Sequence, residues 1–283
     1  MGRAMAPKRP VALITDFGDS LYTGVLRALI HSLDPEIPEI DICHCVPNFS
    51  VLAGAYVVYN TYAWTPRGTI ITAVVDPGVG SSRPALAVRA GDYYFVGPDN
   101  GVLYPAIARE GFKHGVELDA VHVVSLAQQL FRGKLPGRTW QVSDTFHGRD
   151  VFMPAAVLIA RGVDLEELGT PISSSDLKKL SLESVEHTDE GYRVRTVYID
   201  KYGNIALSAM RGAIPLRQWQ NLAITTHEGT FQAIIGRKFS DVSPGDLILY
   251  VNSFGFIEIA ANLDSAARRL GVSIGDKIIL THV

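Results

Sequence analysis

Up to about residue 175, short apolar runs rich in β-branched residues alternate with stretches whose apolar residues recur every four positions; beyond that point the helical spacing fades. Few architectures accommodate the first pattern. Strands that alternate with helices pair in parallel, and the helices cover both faces of the sheet. Residues 11–16 form an apolar run that ends in Asp16, after which Leu21, Val25, Leu29 and Leu33 follow at four-residue steps until Asp34-Pro35 stops the helix. Residues 40–46 read as a second strand, Ser50 caps a helix running to residue 64, and residues 69–75 form a third strand. Short strands at 84–89 and 93–96, a helix at 102–109, a strand at 121–125 and a helix at 148–161 complete the expectation for this half. The polar stretch 170–176 is the linker candidate, which places an α/β domain at residues 9–175. Residues 192–199, 222–226, 231–235, 247–251, 256–260 and 277–281 then read as strands separated by Gly, Pro and Asn. The expected fold class is therefore α/β: a largely parallel amino-terminal sheet, plus a smaller antiparallel, barrel-like β domain at residues 176–283.

Bulk properties narrow the function. A chain of 283 residues is long enough for two real cores, and its formal charge of −3, with Lys and Arg scattered, argues against a nucleic-acid surface or any polyanion partner. The two cysteines, in Cys43-His44-Cys45, stand too close for an ordinary disulfide framework and lack the second pair of a zinc site, so they are expected to be reduced strand residues of a cytoplasmic protein. No apolar run approaches the ~20 residues that span a bilayer, so no membrane partner is expected. The first ten residues are short, basic and without a hydrophobic segment, and are expected to be an unstructured tail.

Reactive residue types gather at the chain breaks. Asp76-Pro77-Gly78-Val79-Gly80-Ser81-Ser82-Arg83 follows the third strand, and Thr145-Phe146-His147-Gly148-Arg149-Asp150 opens a helix. The glycines let the first loop approach a ligand closely. By themselves Asp76 and Arg83 read first as an ion pair of a turn, and His147 as a cap or a satisfied core residue. Asp16 and Asp76 both end parallel strands, which puts them on the edge where open α/β sheets bind ligands and lets them share a pocket. The alternative for Asp16 is a cap on the helix that follows.

Six segments occur in one order: Ile14-Thr15-Asp16-Phe17-Gly18, the Asp76 loop, Gly97-Pro98-Asp99-Asn100-Gly101, Phe146-His147-Gly148-Arg149-Asp150, Asp200-Lys201-Tyr202-Gly203-Asn204 and Asn252-Ser253-Phe254-Gly255. Together, over residues 10–283, they resemble the S-adenosyl-L-methionine hydroxide adenosyltransferase family, the water-using relatives of the fluorinases and chlorinases. The resemblance implies hydrolysis of S-adenosyl-L-methionine to adenosine and L-methionine, with no cofactor and no metal. It implies that Asp16 accepts from the ribose hydroxyls, and that Asp76, Arg83 and His147 form a catalytic trio. Phe49 would pack on the ligand, although an aromatic just before a helix cap also serves as a hydrophobic staple. Asp200, Tyr202 and Asn204 would touch the methionine part, and Asn252, Ser253 and Glu258 would read the adenine.

The chemistry suits so small a trio. A sulfonium leaves as a neutral thioether, so no acid is needed on the departing side; the protein has only to place water in line with the ribose 5′ carbon and manage its proton. Water itself, with a pKa of about 15.7, is a poor nucleophile. Arg83 can favour hydroxide-like character, Asp76 can hold the arginine, and His147, kept neutral at a helix amino end, can accept or relay a proton. The halide-using pattern has a Tyr or similar residue at the position of Asp76, extra hydroxyl residues in the loop and an inserted loop in the first domain. The present chain departs from all of these, which favours water over halide. The resemblance further implies a homotrimer with each site between the α/β domain of one subunit and the β domain of its neighbour. Two other classes stay open. A metal-dependent phosphoesterase would lose activity to a chelator, and a non-catalytic S-adenosyl-L-methionine sensor would show no turnover.

Overall fold

The computed structural model describes residues 8–132, 140–216 and 220–283, and its contacts divide the chain into Met1–Leu180 and Ser181–Val283. The expected amino-terminal tail lies almost wholly outside the described residues.

The first unit runs β1 (Val11–Thr15), α1 (Leu21–Leu33), β2 (Glu39–Cys43), α2 (Val51–Thr61), β3 (Ile70–Val74), β4 (Ala85–Ala90), β5 (Tyr93–Pro98), α3 (Tyr104–Glu110), β6 (Phe112–Leu118), α4 (Ala120–Leu130), α5 (Met153–Ala160) and β7 (Gly169–Ile172). Its seven strands are ordered β2-β1-β3-β5-β4-β6-β7. The first four pair in parallel, and β4, β6 and β7 add antiparallel pairings. The reversal starts at Gly91-Asp92, where Gly91 takes φ +51° and turns β4 directly into β5. Side-chain alternation divides the two faces. Val11, Leu13, Ile70 and Val74 join α1, α4 and α5 in one core, whereas Val75 packs its Cγ2 against Gly54 of α2, where an added Cβ would lie 3.1 Å away. Every residue of α5 is buried, as a helix that is apolar all round requires. At the far end of α1, buried Asp34 accepts from Lys8 Nζ at 2.7 Å and from Arg161 at the end of α5, tying the two helices together.

The helix at α1 forms as expected and ends at Asp34; it buries Thr23, Leu26, Ile30 and Leu33, leaving Leu21 70% exposed. Steps of four residues drift by about 40° each around a helix, so a row of three such steps cannot stay on one face. Residues 121–125 are not a strand but the first turns of α4, because Asp119 caps His122 N–H at 3.0 Å and Val123, Val124 and Ala127 face the core at helical spacing. The stretch 170–176 begins as edge strand β7, paired with β6, and β6 itself carried no expected strand. The helix of residues 148–161 opens as a single π-helical turn, Gly148–Phe152, before α5, a distortion common at functional sites.

The second unit contains β8 (Glu186–Thr188), β9 (Gly191–Ile199), β10 (Ile205–Met210), β11 (Asn221–Thr226), β12 (Gly229–Ile235), β13 (Leu247–Val251), β14 (Phe256–Ala261), α6 (Ala266–Leu270) and β15 (Lys277–His282). The order β10-β14-β13-β12-β11-β15-β9 closes through a β9–β10 pairing into a seven-stranded barrel, with β8 appended on β9. Closure removes the sheet edges. Its pairings are antiparallel except β12 with β13, which is parallel, a departure from the expected wholly antiparallel barrel. Inward residues including Val194, Leu207, Ile224, Leu249 and Ile259 fill the interior. Strands β8 and β10 and helix α6 went unread in the sequence.

Candidate active site

Thr15 of β1 lies opposite Val74 of β3, so Asp16 and Asp76 leave the sheet side by side at its carboxyl edge. With His147 they line a cleft of about 280 Å³, together with Phe17, Tyr22, Asn48, Phe49, Val79 and Phe146. Asp16 does not cap α1, whose cap position is Ser20. Its Oδ2 accepts the Phe49 N–H at 2.8 Å. Burial pushes the Asp16 carboxyl above the usual range; the Phe49 N–H opposes that, and the nearby charge of Asp76 adds to it. Phe49 itself takes φ +63°, a costly conformation for a bulky residue, and leaves its ring 72% exposed. It cannot be a staple, because its partner position in the helix, four residues into α2, is Gly54.

Arg83 grips Asp76 with both arms of its fork: Nε donates to Oδ1 at 2.8 Å and Nη2 to Oδ2. Nη1 donates to the Pro84 carbonyl at 3.1 Å, and Nη2 also reaches His147 Nδ1 at 2.8 Å. The guanidinium lies over the fully buried Phe152 ring at 5.3 Å. Both charged side chains are nearly buried, 10% exposed for Arg83 and 5% for Asp76. A guanidinium has five N–H bonds and accepts nothing. Four are thus directed at Asp76, Pro84 and His147, leaving one on Nη1. Because Arg83 only donates, His147 Nδ1 must be the accepting nitrogen, and a neutral ring then carries its proton on Nε2. Burial and the Arg83 charge hold the His147 pKa below the ordinary histidine value. His147 makes no side-chain cap for the helical turn it precedes.

Two loops must meet closely for this. Gly80 takes φ +76° and sits so near the 140s loop that an added Cβ would lie 2.4 Å from the Asp144 carbonyl. That loop is organised by Asp150, fully buried, which accepts from Trp140 Nε1 at 3.0 Å, Ser143 N at 2.9 Å, Ser143 Oγ at 2.8 Å and Arg149 Nε at 2.6 Å. Burial raises the Asp150 pKa, but the Arg149, Ser143 and Trp140 donors outweigh it and hold the carboxylate ionised. Asn100 serves β3, donating to the Val75 carbonyl at 2.8 Å. Phe17, Tyr22 and Phe146 pack with centroids 5.2–5.9 Å apart and wall the cleft. Sequence reasoning assigned no role to these three or to Asn48; the available signal was that Phe17 and Phe146 each adjoin a residue singled out for chemistry.

In the barrel, Asp200 closes its own turn: Oδ1 accepts from Tyr202 N and Asn204 N, each at 2.9 Å, and Oδ2 from Asn204 Nδ2 at 2.8 Å. Gly203 takes φ +86° there, hard against Ser265. The Tyr202 ring is 66% exposed and borders a cavity of about 620 Å³ with Lys201, Asn204, Phe239, Leu263 and Arg268. Glu258 accepts from Asn252 Nδ2 at 2.8 Å and from the Tyr250 hydroxyl. Burial raises its pKa, those donors oppose the rise, and the charge of Asp200 adds to it, so the two expected groups of barrel residues lie within electrostatic reach. Ser253 is exposed in the turn between β13 and β14. Cys43 ends β2 and Cys45 is exposed beyond it; burial first, then its neighbour Cys45, pushes the Cys43 thiol up to about 12, so it stays protonated. Among the described residues no three His, Cys, Asp or Glu side chains gather into a metal-binding group, and no helix is long and apolar enough to cross a membrane.

The motifs have counterparts in known proteins. Residues 11–169 match the SAM hydroxide adenosyltransferase N-terminal domain, and residues 194–279 match the C-terminal domain of the same family. An (R)-S-adenosyl-L-methionine hydrolase of Salinispora tropica is 33% identical over 286 residues, covering 98% of this chain and 99% of its own. A protein of the same name from Thermus thermophilus is 30% identical, covering 94% and 97%. A fluorinase of Actinopolyspora mzabensis is more distant, at 24% identity over 97% and 98%. The crystal structure of an uncharacterized conserved protein from Thermotoga maritima superposes with a TM-score of 0.80 at 30% identity, covering 95% of this chain and 99% of that one. The chain belongs to the SAM hydroxide adenosyltransferase family.

Proposed function

We propose that the protein hydrolyses S-adenosyl-L-methionine to adenosine and L-methionine, and that the sulfonium epimer it takes is the (R) form named for its relatives. The observation that carries the mechanism is the Asp76–Arg83–His147 chain at the edge of the cleft that also holds Asp16. Asp16, an acceptor, holds the ribose hydroxyls, and the aromatic wall of Phe17, Phe49 and Phe146 receives the flat part of the nucleoside. A water in this cleft attacks the 5′ carbon from the side opposite sulfur. The C–O bond forms as the C–S bond breaks, the electron pair of that bond stays on sulfur, and methionine leaves neutral at its thioether.

The proton of that water goes to Asp76. His147 Nδ1 is occupied by the Arg83 N–H, so a positioning role replaces the proton-accepting one expected of the imidazole: the ring fixes the guanidinium, whose positive charge favours hydroxide-like character on the water. Asp200, Tyr202 and Asn204 take the methionine end, and Asn252, Ser253 and Glu258 the adenine. The reaction needs no cofactor and no metal, and the protein works in the cytoplasm. We further propose a homotrimer in which the barrel of one subunit completes the cleft of its neighbour. The exposed apolar Tyr202, Phe239 and Leu263 around the barrel cavity support such a contact. Light scattering on a size-exclusion column is expected to give three times the 30.8 kDa chain mass, and a monomer that turns over substrate at full rate would contradict the shared site.

Chromatography of purified protein incubated with the (R) and (S) epimers separately is expected to give equal amounts of adenosine and methionine, faster from (R). Asp76→Ala should lower kcat by at least ~10²-fold with affinity changed less than about tenfold. Asp76→Asn, which keeps one acceptor for Arg83, should fold normally and lose comparable rate. Near-normal turnover in both variants would remove Asp76 from the chemistry, and methylthioadenosine or S-adenosylhomocysteine as product would remove the proposed reaction.

His147 gives a pH test. As pH falls through its depressed pKa, below about 6.5, the ring gains a proton on Nδ1 and can no longer accept from Arg83, so kcat should drop on the acid side. His147→Asn, whose amide oxygen can stand in for Nδ1, should lose that acid limb and keep kcat at pH 7 within about tenfold. His147→Leu should lose both the limb and the rate. An unchanged profile in His147→Asn would show that another group sets the limb.

A further inference from the structure

The turn that carries Asp16 is braced by a hydrogen-bonded chain that the mechanism above does not use. Thr15, at the end of β1, is fully buried, and its hydroxyl lies 2.9 Å from His44 Nδ1. His44 Nε2 lies 3.0 Å from Asp41 Oδ1 on β2. An ionised carboxylate only accepts, so Nε2 carries the ring proton; Nδ1 of the neutral ring is then an acceptor, and the Thr15 hydroxyl donates to it. The lone pairs of Thr15 Oγ1 remain for the Phe17 N–H, 3.2 Å away. The chain therefore has one direction throughout: Phe17 N–H to Thr15, Thr15 O–H to His44, His44 N–H to Asp41. Two backbone bonds run alongside it, Gly18 N–H to the His44 carbonyl at 2.7 Å and Val46 N–H to the Thr15 carbonyl at 3.3 Å. The residues on both sides of Asp16 are thus pinned to the strand beside it, while none of Thr15, His44 and Asp41 lines the cleft.

We propose that His44 is a positioning residue for Asp16, acting through Thr15: the Asp41–His44–Thr15 chain sets the turn so that the Asp16 carboxylate faces the cleft. The proposal rests on the assignment of Asp16 as the group that holds the ribose. A hydroxyl that only filled space could be exchanged for a methyl without effect. Here the loss of its two directed hydrogen bonds frees the turn to move, and because Asp16 binds rather than reacts, the consequence falls on affinity.

The test compares Thr15→Val, which keeps shape and loses the hydroxyl, with Thr15→Ser, which keeps the hydroxyl. Thr15→Val should raise KM for S-adenosyl-L-methionine about tenfold, the scale of one net hydrogen bond, with kcat within about threefold of wild type. Thr15→Ser should stay within about twofold in both. His44→Asn, whose amide oxygen can take the place of Nδ1, should lie nearer wild type in KM than His44→Leu. A readout without ligand accompanies these. Nitrogen-15 NMR of the wild-type imidazoles should show His44 protonated on Nε2 only, and its Nδ1 resonance should move in Thr15→Val. Equal KM for the Val and Ser variants, or an Nδ1-protonated His44, would overturn the proposal. A wild-type protein inert toward S-adenosyl-L-methionine would overturn the proposed reaction instead, with the NMR arm still deciding whether the directed chain exists.

Discussion

A guanidinium buried at the end of a β-sheet has to be paired on every side, and the Arg83 pairing organises the cleft. Two nearly buried charges cost several kcal/mol each to desolvate, and only good geometry returns it. The geometry here is bidentate, backed by a carbonyl and by an imidazole nitrogen that can only accept. Satisfying Arg83 in this way closes the glycine loop from Asp76 to Arg83 on itself and draws to it the 140s loop, 64 residues on in sequence. It also decides the tautomer of His147. The arrangement that stabilises the cation is the one that gives the cleft its polarity.

Support for that arrangement is layered outward. Asp150 gathers the 140s loop with donors from Trp140, Ser143 and Arg149, and Gly80 lets that loop come close. Asn100 holds the last carbonyl of the β3 segment, and Thr15 and His44 hold the neighbouring turn. A displacement of about 1 Å in a reacting geometry can cost on the order of 10²-fold in rate. Residues that never meet the ligand therefore have reason to be so fully hydrogen-bonded.

Much of this was legible in the sequence, for reasons that differ by element. The buried parallel strands are continuous apolar runs ending in acids, and such runs announce both themselves and the sheet edge, which is why Asp16 and Asp76 could be put in one pocket. The Ser50 cap acts as expected, its hydroxyl accepting from Ala53 N–H at 3.3 Å. The Val-rich start of α4 misled because β-branched residues favour strands locally, and only the Asp119 cap and the core beneath overrode them. The hairpin of β4 and β5 was hidden in a Gly-Asp pair, and the parallel β12–β13 contact is a matter of long-range topology that periodicity does not encode. At the site, the resemblance carried by the six ordered segments pointed to the trio, which the residues alone read as a turn ion pair and a cap; which nitrogen of His147 accepts follows only from the position of Arg83, and the brace on Asp16 only from where His44 falls beside Thr15.

The central claim is that a water held in this cleft attacks the ribose 5′ carbon. Running the reaction in oxygen-18 water and analysing both products by mass spectrometry tests it most directly. Substitution at carbon places the label on the 5′ hydroxyl of adenosine and leaves methionine unlabelled. Adenosine that forms without the label would mean that its oxygen did not come from a water attacking at that carbon, and the account of Asp76, Arg83 and His147 would have to be abandoned.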